Sequence, residues 1–163
     1  MSNPPLSHND SGSSDVDVLD ALIRTAHYVK REFETRLSSM DIPAYLTGPR
    51  LRLLLAVSEA GQIRMSDLAA IMGIKAITVT QFVDALEKEH LLVRMPDPKD
   101  RRATLVKLTD AAPPLVEQAR AAAKRVKEKL LEPLPPEMRS QLLDILSRLA
   151  DFKNVCIFET KES

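Results

Sequence analysis

Apolar residues along this chain recur mostly at steps of three and four, interrupted in the middle by short β-branched runs. Between Asp17 and Met40, Leu19, Leu22, Ile23, Ala26, Val29, Phe33 and Leu37 form one such stripe, which predicts a long amphipathic helix broken at Ile42-Pro43. Gly48-Pro49 opens a second helix, with proline where the first turn has no use for its amide hydrogen. Leu51, Leu53, Leu54, Leu55 and Val57 crowd that helix, so it should be heavily buried, and Gly61 ends it. Gln62 to Met65 reads as a brief extended connector. Ser66 is the expected N-cap of a short helix carrying Leu68, Ala69, Ile71 and Met72, with Asp67 in the first turn favouring the helix dipole. Gly73 supplies a turn, and a helix from about Lys75 to His90 follows with Val79, Phe82, Val83 and Leu86 inward. A short helix, a glycine turn and a second helix have the spacing of a helix-turn-helix.

Leu91 to Met95 and Ala103 to Leu108 are two β-branched-rich runs separated by a polar stretch, and they predict an antiparallel hairpin. Thr109 is the expected cap of a long Ala-rich helix with the stripe Leu115, Val116, Ala119, Ala123, Val126 and Leu130. After the break at Leu134-Pro135-Pro136, a last helix carries Met138, Leu142, Ile145, Leu146, Leu149 and Phe152. The fold class is therefore mainly α with a small β-hairpin wing. Residues 1–14, rich in Ser, Pro, Asn and Asp, predict a disordered tail rather than a signal peptide. Residues 15–45 and 109–163 are read as dimerisation helices around a winged helix-turn-helix domain at 46–108. The flanking helices have apolar faces that the central core cannot cover, so they should bury them on each other and on a second copy of the chain.

Charge alters this picture only locally. Acids and bases balance at 23 each, which argues against a uniformly basic DNA-binding surface. Yet Lys99, Arg101, Arg102 and Lys107 stand within nine positions against Asp100 alone, so a basic patch on a neutral body is expected. Aromatic residues are too few, at 4%, for a stacking platform that holds single strands. No apolar run approaches the roughly 18 residues of a membrane span. A single cysteine, Cys156, excludes an intrachain disulfide and fits a reducing, cytoplasmic setting.

In a helix-turn-helix the second helix reads the major groove with its N-terminal residues. Lys75, Ala76, Thr78 and Gln81 lie opposite the buried positions. Glutamine can pair with adenine, threonine can hydrogen-bond or touch a thymine methyl, and lysine can reach guanine or phosphate. A polar stripe is common to every amphipathic helix, so this alone decides little. The hairpin tip weighs more, because basic residues clustered on a turn repel one another unless they meet a negative partner. A two-stranded ribbon can carry an arginine into the minor groove, and Asp100 could orient the Arg102 guanidinium.

Several segments resemble the MarR family of winged helix-turn-helix regulators. They are Leu46-Thr47-Gly48-Pro49-Arg50, Asp67-Leu68-Ala69, Thr78-Val79-Thr80, Leu86-Glu87 and Leu91-Leu92-Val93-Arg94. Asp97-Pro98-Lys99-Asp100-Arg101-Arg102, Val106-Lys107-Leu108-Thr109 and Leu134-Pro135-Pro136-Glu137 continue the likeness, which spans about residues 15–155. The resemblance implies a homodimeric, ligand-responsive repressor of a pseudo-palindromic operator in double-stranded DNA. Its groove-reading positions fall on Lys75, Ala76, Ile77, Thr78 and Gln81. Its minor-groove arginine falls on Arg102, a phosphate contact on Arg101, and the supporting carboxylate on Asp100, beside Lys99. It also implies a small aromatic or anionic effector between the dimer helices and the DNA-binding lobe, where His27, Tyr28, Arg31 and Tyr45 are the candidates. Two departures bear on local geometry. His90 replaces a usual glycine and should take a left-handed conformation, and Pro113-Pro114 should delay or bend the long helix.

Nothing in the chain has the spacing of a zinc site, an HExxH helix or a glycine-rich phosphate loop, so no metal, cofactor or catalytic group is expected. Cys156 lies on an apolar stripe and is read as an inert packing residue. Two rival readings remain: a winged-helix protein-interaction module without DNA binding, and an all-helical enzyme or carrier.

Overall fold

The computed structural model describes residues 13–150, with side chains from residue 17. The expected tail therefore lies almost wholly outside the described residues, as do Phe152 and Cys156. Among the described residues, six helices and three strands run in the order α1 (Ser13–Ser38), α2 (Gly48–Ala60), β1 (Gln62–Arg64), α3 (Met65–Met72), α4 (Ala76–Lys88), β2 (Leu92–Pro96), β3 (Thr104–Leu108), α5 (Pro113–Leu131) and α6 (Pro136–Leu149).

The core is built around α2. Leu53, Leu54 and Val57 are completely buried, and Leu51, Leu55 and Ala56 are nearly so. A helix with five consecutive buried apolar residues, Leu53 to Val57, must be covered on most sides; α1, α3, α4, α5, β1 and β3 all pack on it. Val79, Val83 and Leu86 of α4 are fully buried, as are Val116, Ala119 and Val126 of α5 to within 1%. Phe82, expected inside, is only partly buried at the edge of this core.

Three expectations from the sequence are corrected. The extended connector is a strand: β1 pairs antiparallel with β3, Gln62 opposite Lys107 and Arg64 opposite Leu105. The hairpin is thus part of a three-stranded sheet with β3 in the centre, flanked by β1 and β2. Ser66 is not a cap, because α3 already begins at Met65 with Arg64 in the cap position. Thr109 is not a cap either. Its hydroxyl donates to the His90 carbonyl at 2.6 Å and its amide to the Leu91 carbonyl at 3.0 Å, tying the exit of β3 to the entry of β2. The long helix starts later, at Pro113, after Ala112. His90 does adopt a left-handed φ of 59°, and Gly73 one of 62°.

Candidate nucleic-acid interface

The turn at Gly73 folds α3 against α4 so that the chain bends by 112° between them, within the range of a helix-turn-helix. Gly73 lets this happen because a left-handed residue ends α3, its N–H bonding to the Ala69 and Ala70 carbonyls. Helix α4 is anchored by its apolar face, and its N-terminal turn faces outward. Lys75, Ala76, Ile77 and Gln81 are exposed, while Thr78 is half-buried. Four of the five expected reading positions are thus accessible, and Lys75 stands at the cap rather than within the helix.

The wing is fastened to this helix by Arg94 on β2. Its guanidinium donates to the Glu87 carboxylate and, at 2.5 Å, to Asp84, both on α4. A second fastening holds the root of the tip. Asp97 is 5% exposed, the one buried charged residue among the described residues. Its Oδ2 accepts from Arg64 Nε at 2.7 Å and lies 2.6 Å from the second guanidinium nitrogen, while Oδ1 accepts from the Lys99 amide at 2.8 Å. The Lys99 hydrogen bond and, after it, Arg64 hold the Asp97 carboxyl below its ordinary range, against the opposing effect of burial. Arg64 belongs to β1 and immediately precedes α3, so the wing tip is tied back to the first helix of the motif.

Beyond these fastenings, Lys99, Arg101 and Arg102 are exposed, and none is neutralised by an ion pair among the described residues. Asp100 accepts from the Arg102 main-chain amide at 3.0 Å. It therefore shapes the turn, and does not orient the guanidinium as its place in the sequence suggests.

A cavity of about 630 Å³ opens between α1, α2, α4 and α5. Ala26, Val29, Phe33, Met72, Ile74 and Phe82 supply apolar walls, and Lys30, Arg52 and Lys127 supply positive charge beside Glu34. Lys127 is exposed at the surface, yet the protein around its ammonium desolvates it. This pushes its pKa down, Arg52 and Arg120 adding to the effect and Glu59 opposing it. None of His27, Tyr28, Arg31 and Tyr45 lines the cavity. Arg31 instead lies 5.9 Å from the Tyr28 ring centre on the exposed face of α1, and the Tyr45 carbonyl accepts from Arg50 at 3.0 Å. Burial pushes the Tyr45 phenol up, the Glu89 carboxylate adding to it. The sequence could not place Lys30, Arg52 and Lys127 together, because three helices bring them to one opening.

The MarR family profile matches residues 46–104, the span from the entry of α2 to the start of β3. The HTH-type transcriptional repressor MdtR of Bacillus subtilis is 30% identical over 105 residues, covering 64% of this chain and 68% of that protein. The chain belongs to the MarR family. The uncharacterised HTH-type transcriptional regulator YdgJ of the same organism is 33% identical over 100 residues, 61% of each chain. Among solved structures, the Bordetella bronchiseptica protein BpsR superimposes with a TM-score of 0.70 at 26% identity, covering 82% of this chain and 98% of that one. That structure concerns regulation of BpsR DNA binding by 6-hydroxynicotinic acid. A mutant Escherichia coli MarR complexed with operator DNA gives a TM-score of 0.71 at 23% identity, over 83% and 95% of the two chains, and shares the fold. MarR membership sets the chain among transcriptional regulators and not among enzymes. Within this MarR chain, sequence reasoning also missed β1 and the Arg64–Asp97 fastening. The only signal for the latter was a basic residue ahead of α3 and an acid at the wing root, 33 positions apart.

Proposed function

We propose that this MarR-type chain binds a pseudo-palindromic operator in double-stranded DNA as a homodimer, represses from it, and releases it on binding a small aromatic or anionic effector. The observation that carries the reading is a wing tip of exposed, unneutralised Lys99, Arg101 and Arg102, fastened by Arg94 to α4 and by Arg64 to the strand that leads into α3. Rigid placement favours Arg102 as the minor-groove contact, Arg101 and Lys99 as phosphate contacts, and Lys75, Ala76, Ile77, Thr78 and Gln81 as the groove-reading set. Escherichia coli MarR, whose structure holds operator DNA, shares this fold.

Dimerisation through residues 15–45 and 109–163 is supported by the apolar side chains left uncovered there. Leu19, Ile23 and Val29 on α1, and Met138, Leu142, Leu143, Ile145 and Leu149 on α6, are all exposed, and α6 buries none of its residues. A two-fold dimer would set its reading helices about 34 Å apart, one turn of duplex. The cavity beside Lys30, Arg52 and Lys127 suits an effector with an apolar ring and a carboxylate, a chemistry that BpsR's regulation by 6-hydroxynicotinic acid supports. Occupancy would act by favouring one separation of the two winged lobes over another. Such a regulator works in the cytoplasm; among the described residues no single helix is long and apolar enough to cross a membrane.

Fluorescence anisotropy of the purified chain on duplex DNA from its own upstream region, at several salt concentrations, tests the reading. Tight, selective binding of two chains per site, falling steeply with salt through counterion release, is expected. Binding to no duplex, including a random pool, would leave the protein-interaction module as the better account.

A further inference from the structure

Ile77 is 61% exposed, the one large hydrophobic side chain of α3 and α4 left open to solvent. A single exposed apolar side chain is ordinary on a protein surface, but the place of this one is not. It is the second residue of α4, in the turn that a helix-turn-helix presents to base edges, between exposed Ala76 and half-buried Thr78. Gln81 lies one turn further along the same face and is also exposed. Thr78, to which the sequence gives the option of a thymine contact, is partly withdrawn into the lobe, so the outward apolar group in this turn is Ile77.

We propose that Ile77 is a specificity-determining residue that packs against the C5 methyl of one thymine in each half-site, with Gln81 facing the adjoining base pair. The inference rests on the DNA-binding reading above and adds which base the apolar position selects. Thymine is the one base that offers an apolar group in the major groove; the other edges offer donors and acceptors. An isoleucine against those edges strips their water and returns no hydrogen bond, which costs binding. Against thymine it replaces water on a methyl, which favours binding. The same side chain thus selects thymine and rejects the other three.

The test starts from duplexes that the full chain enriches from a random pool. Each thymine of an enriched site is replaced singly by deoxyuridine, which keeps every hydrogen-bonding group and loses only the methyl. One thymine per half-site should weaken binding about fourfold on replacement, the equivalent of about 0.8 kcal/mol for one buried methyl-sized group. The I77A protein, altered at an exposed helical position, should bind the thymine and deoxyuridine duplexes equally. A flat deoxyuridine scan, or a penalty that persists undiminished in I77A, would overturn the assignment. A pool in which nothing is enriched would instead overturn the DNA-binding reading, and this inference with it.

Discussion

Asp97 shows how much one side chain can organise. Its carboxylate closes the wing root on the Lys99 amide and draws Arg64 in from the neighbouring strand. Because its folded pKa is lowered, its contribution to stability is full above the ordinary carboxylate range and is lost as pH falls through that range to the folded value. Acid titration of thermal unfolding should therefore show a loss below about pH 4 that D97N lacks, the variant being less stable than the parent at neutral pH. The partner variant R64M should leave the fold intact while loosening the tip. Its DNA affinity should fall, and its salt dependence should become shallower by about one unit of slope for each phosphate that the tip no longer neutralises. A drop in melting temperature with an unchanged slope would mean that the pair only stabilises the lobe.

Helix α2 has no side-chain cap of its own, since Thr47 makes no capping hydrogen bond. The missing group comes from α1: Glu34 Oε2 accepts from the Gly48 amide at 2.9 Å. This is a helix cap supplied from 14 residues earlier, with a negative charge at the positive end of the dipole. Glycine at 48 leaves room for this contact, because a Cβ there would meet the Glu34 carboxylate and make it shift. G48A should push the carboxylate aside and cost about 1 kcal/mol, the usual value of a lost cap. E34A should cost a similar amount, and the double variant no more than the larger single one; urea unfolding of all four proteins checks the cycle. Additive losses would separate the two residues. Elsewhere, element boundaries follow tertiary demands in the same way. Ser66 yields the start of α3 to Met65 because Arg64 is committed to β1 and to Asp97.

For the whole molecule, the proposed dimerisation and effector response rest on the exposed apolar faces of α1 and α6 and on the charged cavity. Replacing Ile145 by glutamate, I145E, puts a charge on an apolar face with no buried neighbour of its own to disturb. Light scattering should then show monomers for the variant and the proposed dimer for the parent at the same concentration, with the helix content of each chain retained. Monomers should bind a full operator far more weakly than the parent does, because the second lobe no longer arrives with the first. For the cavity, K127Q should weaken binding of 6-hydroxynicotinic acid or benzoate about fivefold in calorimetry, as a partly screened charge interaction is worth about 1 kcal/mol. In the parent, affinity should fall as pH rises through the lowered lysine pKa, since an anion favours the protonated form.

The linear order of apolar and polar residues was enough to locate the six helices of the described residues, the glycine turn at Gly73 and the basic wing, because each depends on periodicity or on one residue's own conformational preference, whereas the left-handed His90 followed from the family resemblance. The motif from Asp97 to Arg102 carried the family resemblance for the same reason: its residues are neighbours in the chain. Interactions between distant residues were not legible in that order. The pairing of Gln62–Arg64 with β3 is too short for any alternation to announce. Arg64–Asp97 and Glu34–Gly48 join positions far apart along the chain, and Lys30, Arg52 and Lys127 meet only because three helices converge. The four effector candidates were chosen by residue type, whereas a cavity is defined by which faces fail to touch. A local pattern specifies what each segment can become; packing around α2 decides which charges meet, and only the folded chain holds that information.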